Sequence, residues 1–119
     1  NAVETNATSS MHNVADYAHI GLTVSNVNAS GTLKVGCSMS ELAPIASTTP
    51  SSTNRWDYVE MVDLRNGASI DGDVGVTFVN VSTTRQYEVN TNNMRWCSVF
   101  LSSQTGGTTT VRMLPASAQ

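Results

Sequence analysis

Residues 95–114 read RWCSVFLSSQTGGTTTVRML. Cys97, Val99 and Leu101 alternate with other side chains, and the same alternation resumes at Val111 after two adjacent glycines. A period of two is typical of a β-strand, and glycine readily adopts the positive φ of a tight turn. We therefore predict two strands joined by a glycine hairpin turn at residues 104–107. The stretch contains no histidine or carboxylate, so it predicts a fold and no chemistry.

The remaining sequence repeats this pattern of short apolar alternations between turn residues. We predict further strands at residues 17–24, 32–38, 56–64, 75–81 and 85–90, with turns at residues 26–31, 65–67, 71–73 and 90–93. No window shows helical periodicity with caps. The chain is thus predicted to be all-β, a single antiparallel β-sandwich of about seven or eight strands with jelly-roll or immunoglobulin-like topology.

The first fourteen residues are polar and show no sustained period. We predict that residues 1–14 form an extended N-terminal arm that is ordered by a neighbouring molecule, and that residues 15–119 form the β-sandwich domain. The segment lacks the charged and then apolar pattern of a secretory signal. The chain has no apolar run long enough to cross a bilayer, so we expect no membrane partner.

The surface composition favours contact with other proteins. Charged residues are only 13% of the chain, whereas 30 of the 119 residues are Ser or Thr. Hydroxyls cost less to desolvate than charges, which suits an assembly subunit, but a Thr-rich chain also simply reflects β propensity. Both interpretations remain open. The net charge of −3, with only six cationic side chains, leaves no basic stripe for phosphates, so we expect no nucleic-acid partner.

Two cysteines lie on the apolar phase of their strands. Cys37 and Cys97 are both predicted to point inward, and two buried free thiols are the plainer interpretation. A disulfide between facing sheets is the alternative. The order Cys37, Trp56, Cys97 is similar to that of immunoglobulin domains, but Arg95 stands where their corner tyrosine is expected.

The polar residues available for catalysis form no recognisable set. The candidates are His12, Asp16, His19, Asp57, Glu60 and Asp63. Asp57 and Asp63 lie about 20 Å apart along one predicted strand, too far for paired carboxylate chemistry. Asp71 and Asp73 flank a glycine, but the further ligands of a calcium loop are missing, so a turn is predicted there. We expect no enzyme, no metal and no cofactor.

Two further features bear on binding. Residues 39–55 form a Ser- and Pro-rich segment containing Pro44 and Pro50, which is either a partner-contact loop or a flexible surface excursion. Aromatic rings that stack on sugars would make the chain a carbohydrate-binding or receptor-binding module of a phage fibre or a secreted protein. The candidate rings are Trp56, Tyr58, Tyr87 and Trp96, although the core needs several of them.

Several motifs together suggest a family. They are Gly31-Thr-Leu-Lys-Val35, the Ser/Pro loop, Thr53-Asn-Arg-Trp-Asp-Tyr-Val59, Tyr87-Glu-Val-Asn90, the strand at residues 94–103 and Thr105-Gly-Gly-Thr-Thr-Thr-Val111. This layout, which spans about 80 residues, resembles the small β-sandwich head decoration or cement proteins of tailed bacteriophages.

The resemblance implies a non-enzymatic virion structural protein on the capsid surface. Such a subunit binds and stabilises the major capsid protein lattice, as a homotrimer around a symmetry axis. The arm and the Pro-rich loop are then the expected contact regions. The corresponding partner-binding residues are Asn6, Met11, His12, Val14, Pro44 and Pro50.

Overall fold

The computed structural model describes residues 7–8, 12–42, 44, 54–91 and 93–116. Its strands are β1 (Ala7–Thr8), β2 (His12–Asn13), β3 (His19–Ser38), β4 (Asp57–Val59), β5 (Met61–Asp63), β6 (Ala68–Ile70), β7 (Val76–Val81), β8 (Thr84–Asn90) and β9 (Trp96–Ala116). These residues contain no helix, and so none that would cross a bilayer. The all-β prediction is confirmed: seven strands, β3 to β9, follow the two short ones.

The architecture is one continuous antiparallel sheet built around two long strands. β3 and β9 pair along their whole length, from His19 opposite Ala116 to Ser38 opposite Trp96. The other edge of β3 is covered in turn by β8, β7 and β4. β5 and β6 extend the sheet beyond β8, and β1 and β2 pair with the outer edge of β9.

The long β3–β9 pair bends in its middle, which folds the sheet around one core. On β3 the buried side chains occupy even positions as far as Asn26 and odd positions from Ala29 to Val35, with Val27 and Asn28 both exposed and residues 35–38 all buried. Asn28 has a φ of 50°, in the left-handed region. An irregularity of this kind changes which residues face the core. Both halves of β3 therefore bury an apolar face in the same sandwich core.

On β9 the bend requires its two glycines. A Cβ on Gly107 would overlap the carbonyl oxygen of Val27, and one on Gly106 would lie 2.6 Å from the carbonyl oxygen of Asn28. Gly106 also has a φ of 76°. A second irregularity follows at Ser103, with a φ of 56°, where the β3–β9 register shifts. Two phase changes cancel, so the inward positions of β9 are odd on both sides of the bend.

The predicted turns at residues 26–31 and 104–107 are therefore wrong. Both segments are bends within continuous strands, and they lie opposite each other, Ala29 facing Gly106. Glycine and asparagine permit positive φ in a bulge as readily as in a chain reversal. Glycine and asparagine at these positions are thus compatible with either a chain reversal or a bend, and only the pairing along the whole length of β3 shows that they form bends.

The core draws side chains from both halves of the sheet. Its buried members are Val14, Ile20, Leu22, Val24, Ala29, Leu33, Val35, Cys37, Met61, Phe78, Tyr87, Val89, Cys97, Val99, Leu101 and Val111. One polar pair is buried beside the bend, where the Thr109 hydroxyl donates to Asn26 Oδ1 over 2.6 Å. A buried hydroxyl without such a partner would destabilise the fold, so this bond holds the two strands together at a site where their ladder is irregular.

An aromatic cluster covers the opposite face of one half of the sheet. Trp56 stacks on Phe100 with ring centroids 4.4 Å apart, and Tyr58 meets Trp56 edge-on at 4.9 Å. The Trp56 and Phe100 rings lie over Gly36, where an added Cβ would come within 2.6 Å of Trp56. The ammonium of Lys34 lies 4.7 Å from the Tyr58 ring centroid. Burial, with the charges of Asp73 and Asp57, raises the pKa of Tyr58.

Cys37 and Cys97 form a disulfide, so the free-thiol interpretation is wrong. The two residues are direct register partners on β3 and β9, and their Cα atoms are 4.1 Å apart. The bridge therefore joins neighbouring strands of one sheet, unlike the expected bridge between facing sheets and unlike that of immunoglobulin domains.

Candidate functional site

The predicted contact residues of the arm are only partly available to a partner. Asn6 and Met11 lie outside the described residues, and His12 lies in β2 opposite Cys97. Val14 is 1% exposed and belongs to the core, and its backbone N–H donates to the Arg95 carbonyl oxygen over 2.8 Å. Its side chain is therefore buried in the core and is not accessible to a partner in this structure.

The described parts of the arm are extended, and they pair within their own domain. β1 places Ala7 opposite Leu101 and Thr8 opposite Phe100, while β2 pairs farther along the same edge. Residues 12 and 13 thus pair with β9 of the same chain, and Val14 bonds to Arg95 just before that strand. This contrasts with the expectation that a neighbouring molecule orders the arm.

The second predicted contact region is described only at its two ends. Pro44 is buried, and Pro50 lies outside the described residues. The Trp96 indole N–H donates to the Ser40 carbonyl oxygen over 3.1 Å, which fixes the start of the segment against β9. Met39 and Leu42, on either side of that contact, are 65% and 67% exposed.

One candidate surface was not predicted from the sequence; we call it the open edge and define it as residues 102–116 of β9. Within the described part of the chain, β3 is the only strand that pairs with these residues. Residues 102–108 read SSQTGGT and all are exposed except the half-buried Gln104. A strand edge of this kind presents backbone N–H and C=O groups that another strand can pair with.

One feature of the sequence is consistent with a continuous strand through residues 104–107. The apolar positions on both sides of residues 104–107 are odd, as expected for one strand that continues through them. In a hairpin the phase of the second strand is instead set by the length of the turn. The hairpin prediction rests on the two glycines and disregards the shared odd phase of the apolar residues on either side.

The candidate catalytic residues do not converge in the structure. Asp63, opposite Tyr87 on β8, is held by Arg65, whose backbone N–H donates to Oδ1 over 2.9 Å and whose Nη2 donates to Oδ2 over 3.2 Å. These bonds hold the pKa of Asp63 below its usual range. Burial, followed by the Asp63 charge, raises the pKa of Tyr87. Among the described residues, no three His, Cys, Asp or Glu side chains form a metal-binding group.

The predicted turn at residues 71–73 is present. Asp71 Oδ1 accepts from the backbone N–H of Asp73 over 2.8 Å, and the Asp71 carbonyl oxygen accepts from that of Gly75 over 2.9 Å. Gly75 has a φ of 69°, which completes the turn before β7. One carboxylate oxygen of Asp71 is thus engaged with the backbone, as in an Asx-turn.

The four aromatic candidates for sugar stacking do not form an exposed platform. Trp56 and Tyr87 are 5% and 4% exposed, so both are structural. Tyr58 and Trp96 are half-buried, and the Trp96 indole is already bonded to Ser40. A sugar face needs an accessible ring. These residues therefore give no support to the glycan-binding alternative.

Comparisons with protein-family models, with curated proteins and with solved structures find no match to this chain. What the protein does must be inferred from its own surfaces. The disulfide, the aromatic cluster and the core contribute to its stability, and the open edge is a feature that they leave unexplained.

Proposed function

We propose that this protein is a non-enzymatic virion structural protein, a decoration or cement subunit that binds and stabilises a phage head shell. The observation that carries the proposal is the open edge. Ser102, Thr105, Gly106 and Thr108 pair with β3 on one side, no other strand among the described residues pairs with them, and they are small and uncharged. The family resemblance of the motifs agrees with this role.

Strand addition is the binding mode that such an edge favours. A partner strand that pairs with the backbone of β9 gains hydrogen bonds independently of its side chains. Ser, Thr and Gly side chains allow close approach, and they carry no charge that must be desolvated. The nearest charged residue along the strand is Arg112, beyond the glycines. We infer that a strand of the major capsid protein docks at residues 102–108.

Subunit number is a separate part of the proposal. A decoration subunit gains affinity when several copies contact the shell at once, because linked weak contacts multiply. We propose a homotrimer around a symmetry axis of the shell, as the family resemblance implies. Sedimentation-velocity mass of the isolated protein measures this directly. A protein that is monomeric at all concentrations contradicts the trimer but not the docking mode, which shell co-sedimentation tests separately.

The docking mode is tested by co-sedimentation with purified empty head shells from a panel of tailed bacteriophages. The double variant Ser102→Lys/Thr108→Lys adds two charges to the exposed edge, and we expect it to lose shell binding because edge lysines oppose strand addition. Gln86→Lys, on the exposed outer face of β8, is the matched control and should still bind. Wild-type protein that binds none of the shells, or a double variant that binds as wild type does, contradicts the proposal.

A further inference from the structure

A cleft of about 250 Å³ lies between β7 and β8, at the end of the core beside the bend. The lining residues that bear on its chemistry are Val24, Asn26, Arg65, Val76, Phe78, Val81 and Arg85. β7 and β8 pair with different parts of the same edge of β3, so the bend in β3 separates them. The cleft is thus a consequence of folding one sheet over on itself.

One side of the cleft is apolar. Val24 and Phe78 are 2% and 8% exposed and belong to the core, and the half-buried Val76 and Val81 pack against it. A methyl or aromatic group that enters here is removed from water without displacing any charged side chain of the protein. This wall therefore favours a small hydrophobic group.

The other side of the cleft carries two guanidinium groups. Asp63 is already bonded to Arg65 by two hydrogen bonds. Arg85 donates to the Thr84 carbonyl oxygen over 3.3 Å, and within the described residues no carboxylate lies within 4.0 Å of it. A guanidinium has five N–H donors in a fixed planar fork. Arg85 thus retains donors for an anion in the cleft.

The arginines are shared with a second, neighbouring cavity of about 300 Å³, lined by Leu64, Arg65, Thr84, Arg85 and Gln86. Arg65 and Arg85 therefore line both cavities. Within the first cleft, Asn26 is 6% exposed, and its Oδ1 accepts from Thr109. This bond fixes the amide and leaves the Asn26 side-chain nitrogen as a further donor.

We propose that this cleft binds a carboxylate that is carried on a small apolar group. The carboxylate pairs with Arg85, and the apolar group packs against Phe78 and the half-buried Val76 and Val81. A volume of about 250 Å³ lies below the range of roughly 300–1,000 Å³ that is usual for drug-sized ligands, so the ligand is small. Its size fits a branched-chain acid, or the C-terminal residue of a peptide with such a side chain.

The experiment is a titration of the full chain followed by backbone amide NMR. The probes are isovalerate, its uncharged amide isovaleramide, acetate, and the acetylated peptide Gly-Gly-Val with a free C-terminus. We expect isovalerate and the peptide to shift the resonances of residues that line the cleft. The amide and acetate should bind at least about tenfold more weakly, because the amide lacks the negative charge and acetate lacks the branched apolar group. Tighter binding of the peptide than of isovalerate identifies a protein C-terminus as the source of the carboxylate. Equal affinities identify a free acid.

The site is assigned with two arginine variants. Arg85→Gln should weaken isovalerate binding about tenfold or more, since a hydrogen bond between two charged groups is stronger than one between neutral groups. Arg112→Gln, an exposed arginine on the outer face of β9, is the matched control and should bind as wild type does. Equal binding of acid and amide by wild-type protein, no shifts at the cleft with either carboxylate, or unchanged affinity in folded Arg85→Gln would overturn the proposal. The comparison of isovalerate with isovaleramide uses the wild-type protein, so it tests the proposal even if Arg85→Gln does not fold.

Discussion

The two halves of the β3–β9 pair share one ladder but differ in what covers them. The disulfide half, residues 33–38 of β3 with residues 96–101 of β9, contains the Cys37–Cys97 bridge and is packed on both faces. The cleft half, residues 19–27 of β3 with residues 108–116 of β9, buries only its inner face. Its outer face carries exposed or half-buried polar groups such as Thr23 and Arg112.

The β3–β9 pair therefore has different surroundings in its two halves, and we expect the halves to differ in rigidity. Covering both faces removes Phe100 and Trp56 from water and adds a covalent link, which favours a rigid region. Leaving one face polar, with a cleft at the end of the core, favours exchange with ligands and solvent. We therefore expect local opening to be less costly in the cleft half than in the disulfide half.

The largest expected effect comes from removing the bridge. The Cys37→Ala/Cys97→Ala variant opens a covalent loop with a sequence separation of 60 residues. Chain-entropy arguments give a loss of about 4 kcal/mol in the free energy of unfolding. Urea denaturation of the variant and wild type measures this loss. Hydrogen exchange should show the disulfide half falling to the protection of the cleft half, whereas a change below about 1 kcal/mol would contradict the entropic account.

The second prediction uses one glycine on the outer face of β3 in each half. At Gly36 an added Cβ lies 2.6 Å from Trp56 and 2.7 Å from Phe100, so Gly36→Ala should destabilise the protein by about 1–3 kcal/mol through overpacking. At Gly21 the nearest atom is the Leu114 carbonyl oxygen at 3.7 Å, an ordinary contact. Gly21→Ala is the matched control and should be neutral or stabilising by up to about 1 kcal/mol. Equal effects of the two substitutions in thermal unfolding would refute the difference between the outer faces.

The smallest expected effect is acid sensitivity on the β8 side of the cleft. The folded-state pKa of Asp63 lies below its unfolded value, so its stabilisation is complete above the unfolded pKa of about 3.9 and is lost as pH falls through the folded pKa. Wild type should therefore exceed Asp63→Asn in stability at pH 6, and the gap should close in acid. Urea denaturation from pH 6 down to pH 2 checks this. Parallel stability curves for the two proteins would be evidence against the Arg65–Asp63 contribution.

The fold class followed from the sequence because alternation is a local property of each strand. The run from Leu33 to Cys37 has an apolar side chain at every second residue, and those positions are buried. The turn at residues 71–73 was predictable for the same reason, since Asp71 bonds within its own turn. Structure that depends on residues a few positions apart is visible in a single sequence.

The candidate surfaces were less predictable. Arg65, Arg85 and Phe78 come from separate strands and turns, and no spacing in the sequence brings them to one cleft. The polar neighbours of Val14 place it in the predicted arm, yet it fills the core at 1% exposure. Its burial depends on the approach of β9, which lies more than eighty residues later in the chain.

The sequence by itself determined that this protein is an antiparallel β domain with little surface charge, because strand periodicity and composition are read residue by residue. Only the tertiary structure decided that Asn28 and Gly106 bend continuous strands instead of reversing them, that Cys37 and Cys97 are bonded neighbours, and that β9 leaves an open edge among the described strands. The physical reason is that a positive φ permits several paths of the chain, and pairing between residues distant in sequence selects one of them.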